Sequence, residues 1–84
     1  MDSYLILCRS LTYAQRTSRV LERIGIKGYI SRLPSIIAGE GCGYCVKISG
    51  RNLNAAVKLL REEGMAPKQV FAENGDGGFS EVAL

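Results

Sequence analysis

Gly28-Tyr29-Ile30-Ser31-Arg32-Leu33, then Pro34-Ser35-Ile36-Ile37-Ala38-Gly39-Glu40-Gly41-Cys42-Gly43, then Tyr44-Cys45-Val46-Lys47-Ile48-Ser49: this stretch decides the fold. Its outer blocks alternate in polarity and are rich in β-branched and aromatic residues, so each reads as a strand. Along the second block, Tyr44, Val46 and Ile48 face one side, and Cys45, Lys47 and Ser49 face the other. Pro34 ends the first strand. Glycines at 39, 41 and 43 forbid a regular element between the two and permit unusual backbone angles. Two strands therefore follow one another with only a hairpin-like connection. That arrangement suits antiparallel pairing.

Working outward, Ser3-Tyr4-Leu5-Ile6-Leu7-Cys8 is short, apolar and free of Gly and Pro, and it reads as a strand buried on both faces. Ser10 then offers an N-cap oxygen. Leu11, Ala14, Ser18, Leu21 and Ile24 recur at helical spacing, with Gln15, Arg16, Arg19, Glu22 and Arg23 on the other face. The spacing predicts a helix over 11–24, stopped by Gly25. On the far side, Gly50-Arg51-Asn52 breaks the third strand and Asn52 can cap a second helix. Leu53, Ala56, Val57, Leu60 and Met65 mark its buried face, and Gly64 closes it. Gln69-Val70-Phe71-Ala72 reads as a fourth strand.

The order is strand, helix, strand, strand, helix, strand. The phrases LERIGIKGYI and LLREEGMAPKQVF repeat one device, in which a helix ends at Gly and a strand follows. The expected architecture is α+β, a ferredoxin-like β-α-β-β-α-β sandwich. It has a four-stranded antiparallel sheet with two helices on one face. Residues 1–72 form a single domain. Residues 73–84, with Asn-Gly-Asp-Gly-Gly at 74–78, read as a flexible C-terminal tail that docks or pairs through Phe79, Val82 and Leu84.

Composition narrows the function. The 84 residues carry a net charge of +3, too mild and too spread along the chain for a nucleic-acid stripe, and there is no Trp to stack on bases. The apolar run Tyr4 to Cys8 is too short to span a membrane and lacks the flanks of a leader peptide, so the expected location is the cytoplasm. The odd cysteine count, three, argues against a disulfide framework and for reduced thiols. The absence of His removes the commonest general base and the commonest zinc ligand. No metal or cofactor is expected.

The chemistry then falls to cysteine. The first two strands run in the same direction, so Cys8 shares an edge of the sheet with Cys42, Cys45 and the start of the first helix. Helix N–H groups, with Arg9 and Arg32, would favour a thiolate there. Gly41 and Gly43 leave Cys42 unshielded. Cys8 at the end of an apolar strand reads equally as a packed residue, and so does Cys45. Cys42-Gly43-Tyr44-Cys45 is formally a C-x-x-C, but a strand pattern follows it. The helix N-terminus that activates such a pair in thioredoxin-like proteins is missing.

The chain resembles small bacterial domains of the selenium/sulfur carrier protein-like family over roughly residues 3–72. The likeness rests on YLILCRSLTYAQRTSRVLERIGI, on LPS at 33–35, on the Cys-Gly pair within GCGYCVKI, and on LNAAVKLLREEGM. Members of that family occur alone or joined to a sulfurtransferase-like carrier domain. The resemblance implies that Cys42 with Gly43 is the chalcogen-carrying position. Cys45 departs from the family pattern, as a resolving thiol or a packed residue, and Cys8 is a third candidate thiol.

The implied function is a carrier that takes a persulfide or selenopersulfide from a cysteine desulfurase or another delivering protein and yields it to an acceptor protein. Two other readings stay open. One is a thiol-disulfide or redox-sensing module using Cys42 with Cys45 or Cys8. The other is a non-catalytic binding module, such as a homodimer formed through the open sheet face.

Overall fold

A computed structural model describes residues 3–33, 43–75 and 77–82. Strand β1 spans Ser3–Cys8, helix α1 Leu11–Glu22, β2 Tyr29–Arg32, β3 Tyr44–Ser49, helix α2 Leu53–Glu62, β4 Val70–Glu73 and β5 Phe79–Glu81. A single turn of 3-10 helix, Gly50–Asn52, leads into α2. The strands form one antiparallel sheet in the order β2-β3-β1-β4-β5.

Register places the side chains. Cys8 pairs with Tyr44, Ile6 with Val46 and Tyr4 with Ile48, while Ile6 also pairs with Val70. Directly opposed residues share a face, so Cys8, Ile6, Val46, Ile48 and Val70 stand together. All five join one apolar cluster with Ala14, Val20 and Leu21 of α1 and Ala56 and Leu60 of α2. Both helices therefore cover the same face. The other face carries Leu5, Leu7, Cys45 and Lys47 across β1 and β3. Leu5 and Ile6 are both buried, so β1 is covered on its two sides, as its continuous apolar run predicted.

The helices end by one shared device. Gly25 and Gly64 adopt φ of +78° and +72°, where a Cβ would be strained. The next residue in each case turns back into the core. Ile26 N–H donates to the Leu21 carbonyl at 3.1 Å, and Met65 N–H donates to the Leu60 carbonyl at 2.7 Å. Ile26 and Met65 are buried. At its start, α1 is capped by Ser10, whose hydroxyl oxygen accepts from Tyr13 N–H at 3.1 Å.

Several expectations need correction. The sheet has five strands, not four, because part of the expected tail pairs with β4. Within that connection, Asn74 N–H donates to the Gly78 carbonyl and Gly77 N–H donates to the Asn74 carbonyl. The reversed chain then lays Phe79–Glu81 against β4, and Val82 N–H donates to the Val70 carbonyl at 2.8 Å. Helix α1 stops at Glu22, and Leu11 and Ile24, placed on its buried face by periodicity, are 43% and 48% exposed. Leu11 is the first residue of the helix and Ile24 lies two residues past its end. Asn52 precedes α2 but its side chain makes no capping bond, since the 3-10 turn already leads the backbone into the helix. No helix among the described residues is long and apolar enough to cross a membrane.

Candidate functional site

The edge where β1 ends and α1 begins carries a groove of about 610 Å³. Its walls come from segments distant in sequence. Leu7, Cys8 and Arg9 leave β1, Tyr13 and Arg16 belong to α1, and Leu33 and Gly43 bracket the β2–β3 connection. The turn from Glu63 to Gln69 closes the far side. That turn is brought alongside β1 because β4 pairs with β1, and Leu7 N–H donates to the Gln69 carbonyl at 3.2 Å.

Gly43 is held tightly in this wall. Its carbonyl accepts from Leu33 N–H at 3.0 Å. A Cβ at Gly43 would lie 3.4 Å from Leu33 Cδ2 and 3.7 Å from the Cys8 carbonyl oxygen. The residue that follows Cys42 is thus packed against the end of β1 and opens onto the groove. Cys42 itself, with Gly41, lies outside the described residues.

The two other thiols do not share one chemical setting. Cys8 is 5% exposed and points into the helix-covered core. Its thiol faces Thr17, with Sγ 3.9 Å from Thr17 Oγ1 and 3.7 Å from the Ile6 carbonyl oxygen, both weak contacts. Thr17 donates its own proton to the Tyr13 carbonyl at 2.9 Å, so its oxygen remains an acceptor. Burial pushes the Cys8 thiol above its ordinary range. The Thr17 contact pulls the other way, and the proximity of Cys45 adds to the rise. The expected thiolate-favouring edge therefore does not act on Cys8, because removal from water outweighs it.

Cys45 is fully buried and pairs in register with Leu7, one step from the Cys8–Tyr44 pair. Successive strand residues point to opposite faces, so Cys45 faces away from the core that holds Cys8. Its sulfur lies 3.3 Å from Ser31 Oγ on β2. The sheet itself separates the two sulfurs, which excludes a Cys8–Cys45 disulfide without rebuilding β1 or β3.

The arginines also part company. The Arg9 guanidinium lies over the Tyr13 ring, 5.0 Å from its centroid, and lines the groove. Arg32 is exposed on β2, opposite Tyr44, and is not among the groove residues. Tyr13, Arg16 and the Met65–Gln69 wall escaped the reading of the sequence. Tyr13 and Arg16 reach this edge on α1, which directly follows β1, whereas only β1–β4 pairing brings the Met65–Gln69 wall to Cys8. Among the described residues no group of three or more His, Cys, Asp or Glu side chains gathers where it could hold a metal.

Comparison with known proteins gives one match. A family model described as "Putative Se/S carrier protein-like" covers residues 3–72, which takes in β1 through β4 except its last residue, with both helices and the groove. No curated protein and no solved structure matches the chain.

Proposed function

The chain belongs to the Se/S carrier protein-like family, and from that premise we propose that it carries sulfur or selenium on Cys42, between a delivering enzyme and an acceptor protein in the cytoplasm. The observation that carries this reading is the fate of the other thiols. Cys8 and Cys45 are both buried, and they lie on opposite sides of the sheet. Cys8 is also held in its neutral form. A carrier needs an accessible, ionisable thiol, and Cys42 is the thiol left for the task. Its neighbour Gly43 lines a groove that also holds Arg9, Arg16 and Lys68, cations suited to a persulfide anion.

Loading follows simple exchange chemistry. The Cys42 thiolate attacks the outer sulfur of a persulfide on a cysteine desulfurase. A sulfur–sulfur bond forms to Cys42, the bond to the enzyme's cysteine breaks, and that cysteine leaves as a thiolate. No oxidant and no general base on this chain is required. We read the first four strands as a ferredoxin-like arrangement, and Leu33 and Gly43, which flank the segment bearing Cys42, both line the groove.

The test is to incubate the reduced protein with a desulfurase and cysteine, then read intact and peptide masses. Wild type and the Cys8→Ala and Cys45→Ala variants gain one sulfur, at Cys42. Loading of Cys42→Ser at the wild-type level, or no loading of any form, refutes the carrier. The redox reading keeps both of its pairs, Cys42 with Cys45 or with Cys8, since only a Cys8–Cys45 pair is set apart by the sheet.

A further inference from the structure

Hydrogen-bond alternation runs through the sheet to its edges. Leu33 N–H donates to the Gly43 carbonyl at 3.0 Å, and this pair continues the β2–β3 register, in which Arg32 opposes Tyr44. Antiparallel residues bond a given neighbour strand at every second position. Ser31 and Tyr29 therefore also bond to β3, while Ile30 and Arg32 aim their main-chain N–H and C=O groups away from it. The same alternation holds further along: Leu7 N–H bonds to Gln69 and Val82 N–H to Val70, each where the register requires. Strand β2 is an edge of the sheet, next to β3, and all four of its residues are exposed. Tyr29 and Ile30 are 58% and 37% exposed. Large apolar side chains thus flank main-chain groups turned outward. An edge of this kind is a template for another strand.

We propose that β2 pairs antiparallel with β2 of a second copy of this chain, about a two-fold axis through Ser31, so that two five-stranded sheets join into one. The spacing of the outward groups selects a second copy as the occupant. With Ser31 opposite the partner's Ser31, Ile30 lies opposite the partner's Arg32, and Arg32 opposite the partner's Ile30. Each such pair exchanges two N–H to C=O bonds, so the outward groups of Ile30 and Arg32 in both chains satisfy one another. Both residues stand on the helix-covered face, since they oppose Val46 and Tyr44 within the chain, and the two-fold keeps the helix-covered faces on one side. The two arginines are staggered, not opposed, and each lays its stem along the facing Ile30. The other edge is a poorer match. Strand β5 has three residues, and pairing β2 with β5 of another copy repeats head to tail without closing. A contact of four residues a side falls below the roughly 1,200 Å² of a stable interface, so the dimer is weak and forms as concentration rises. The pairing uses neither Cys42 nor the groove and stands independently of sulfur carriage.

The experiment takes the reduced, full-length protein through a concentration series up to about 1 mM, the range in which contacts this small associate. Sedimentation reads the mass, and amide hydrogen exchange reads the edge. A doubling of mass is expected. The Ile30 and Arg32 amides should exchange about ten-fold more slowly or better once the dimer fills, while those of Ser31 and Leu33, bonded to β3, change little. Ile30→Pro removes an N–H that points away from β3 and weakens association about ten-fold or more. Glu81→Pro, the same change at an outward position of the other edge, leaves association unaltered. The mass of a single chain throughout, a dimer in which Ile30 and Arg32 exchange as fast as in dilute solution, or equal slowing at Phe79 and Glu81 overturns the proposal. The exchange measurement on the unaltered chain needs no variant, so it is decisive even where a proline variant unfolds.

Discussion

Cys8 and Cys45 sit one register step apart on adjacent strands, yet they occupy the two different faces of the sheet. On the helix-covered face, Cys8 is one member of a cluster drawn from β1, β3, β4 and both helices. On the open face, Cys45 and Leu5 are buried too, but their surroundings are different. Lys47 stands opposite Leu5, and its ammonium reaches across β1 to Glu73 on β4 at 2.9 Å. Ser31, itself exposed, meets the Cys45 sulfur. Equal burial thus occurs both on the face that the helices cover and on the face that they leave. The comparison teaches that burial alone does not tell how a site responds when it is altered.

Truncation on β1 draws the contrast most strongly. Ile6→Ala removes a core side chain between two helices and is expected to cost about 2–5 kcal/mol. Leu5→Ala on the open face is expected to cost clearly less, since the Lys47 stem can settle into the space. Denaturant unfolding of both variants measures the difference, and equal losses would break the distinction between the faces. Gly28→Ala probes the helix-covered face from β2's entry. A Cβ there would lie 2.5 Å from Val46 Cγ1, and Ser18 already donates to the Gly28 carbonyl at 3.2 Å, which pins the segment. A loss of about 1–3 kcal/mol is expected.

Much of this fold was legible in the chain. Ser10 marks a cap, Gly25 and Gly64 mark helix ends, and the alternation of Tyr44 to Ser49 assigns each residue to the correct face, because these signals are local. Strand β5 was legible only as a tail that docks or pairs through Phe79 and Val82, since three residues after a glycine-rich turn carry too little alternation to read as a strand. The groove was less legible still: Met65 and Lys68 approach Cys8 only through long-range strand pairing. The upward push on the Cys8 thiol likewise comes from burial in the tertiary packing, which spacing alone could not weigh against the charge at the sheet edge.

Smaller effects sharpen the same comparison. The folded Cys8 thiol ionises above its ordinary value of 9.0, so the unfolded chain releases its proton first as pH rises. This group's contribution to stability is constant below about pH 9 and falls above it, by at most about 1.4 kcal/mol per pH unit. Denaturant midpoints of wild type and Cys8→Ala, compared from pH 7 upward, should show the extra alkaline slope in wild type only. Least of all, Lys47→Ala removes a partly exposed ion pair and should cost less than about 1 kcal/mol, with the loss shrinking in high salt.

The most direct measurement of the account is alkylation of the native, reduced protein, followed over time by peptide mapping. Rapid modification at Cys42, with Cys8 and Cys45 modified only after denaturation, is the predicted result. Native modification of Cys8 or Cys45 at a rate comparable to Cys42, or a Cys42 that reacts only once the chain is unfolded, would contradict it.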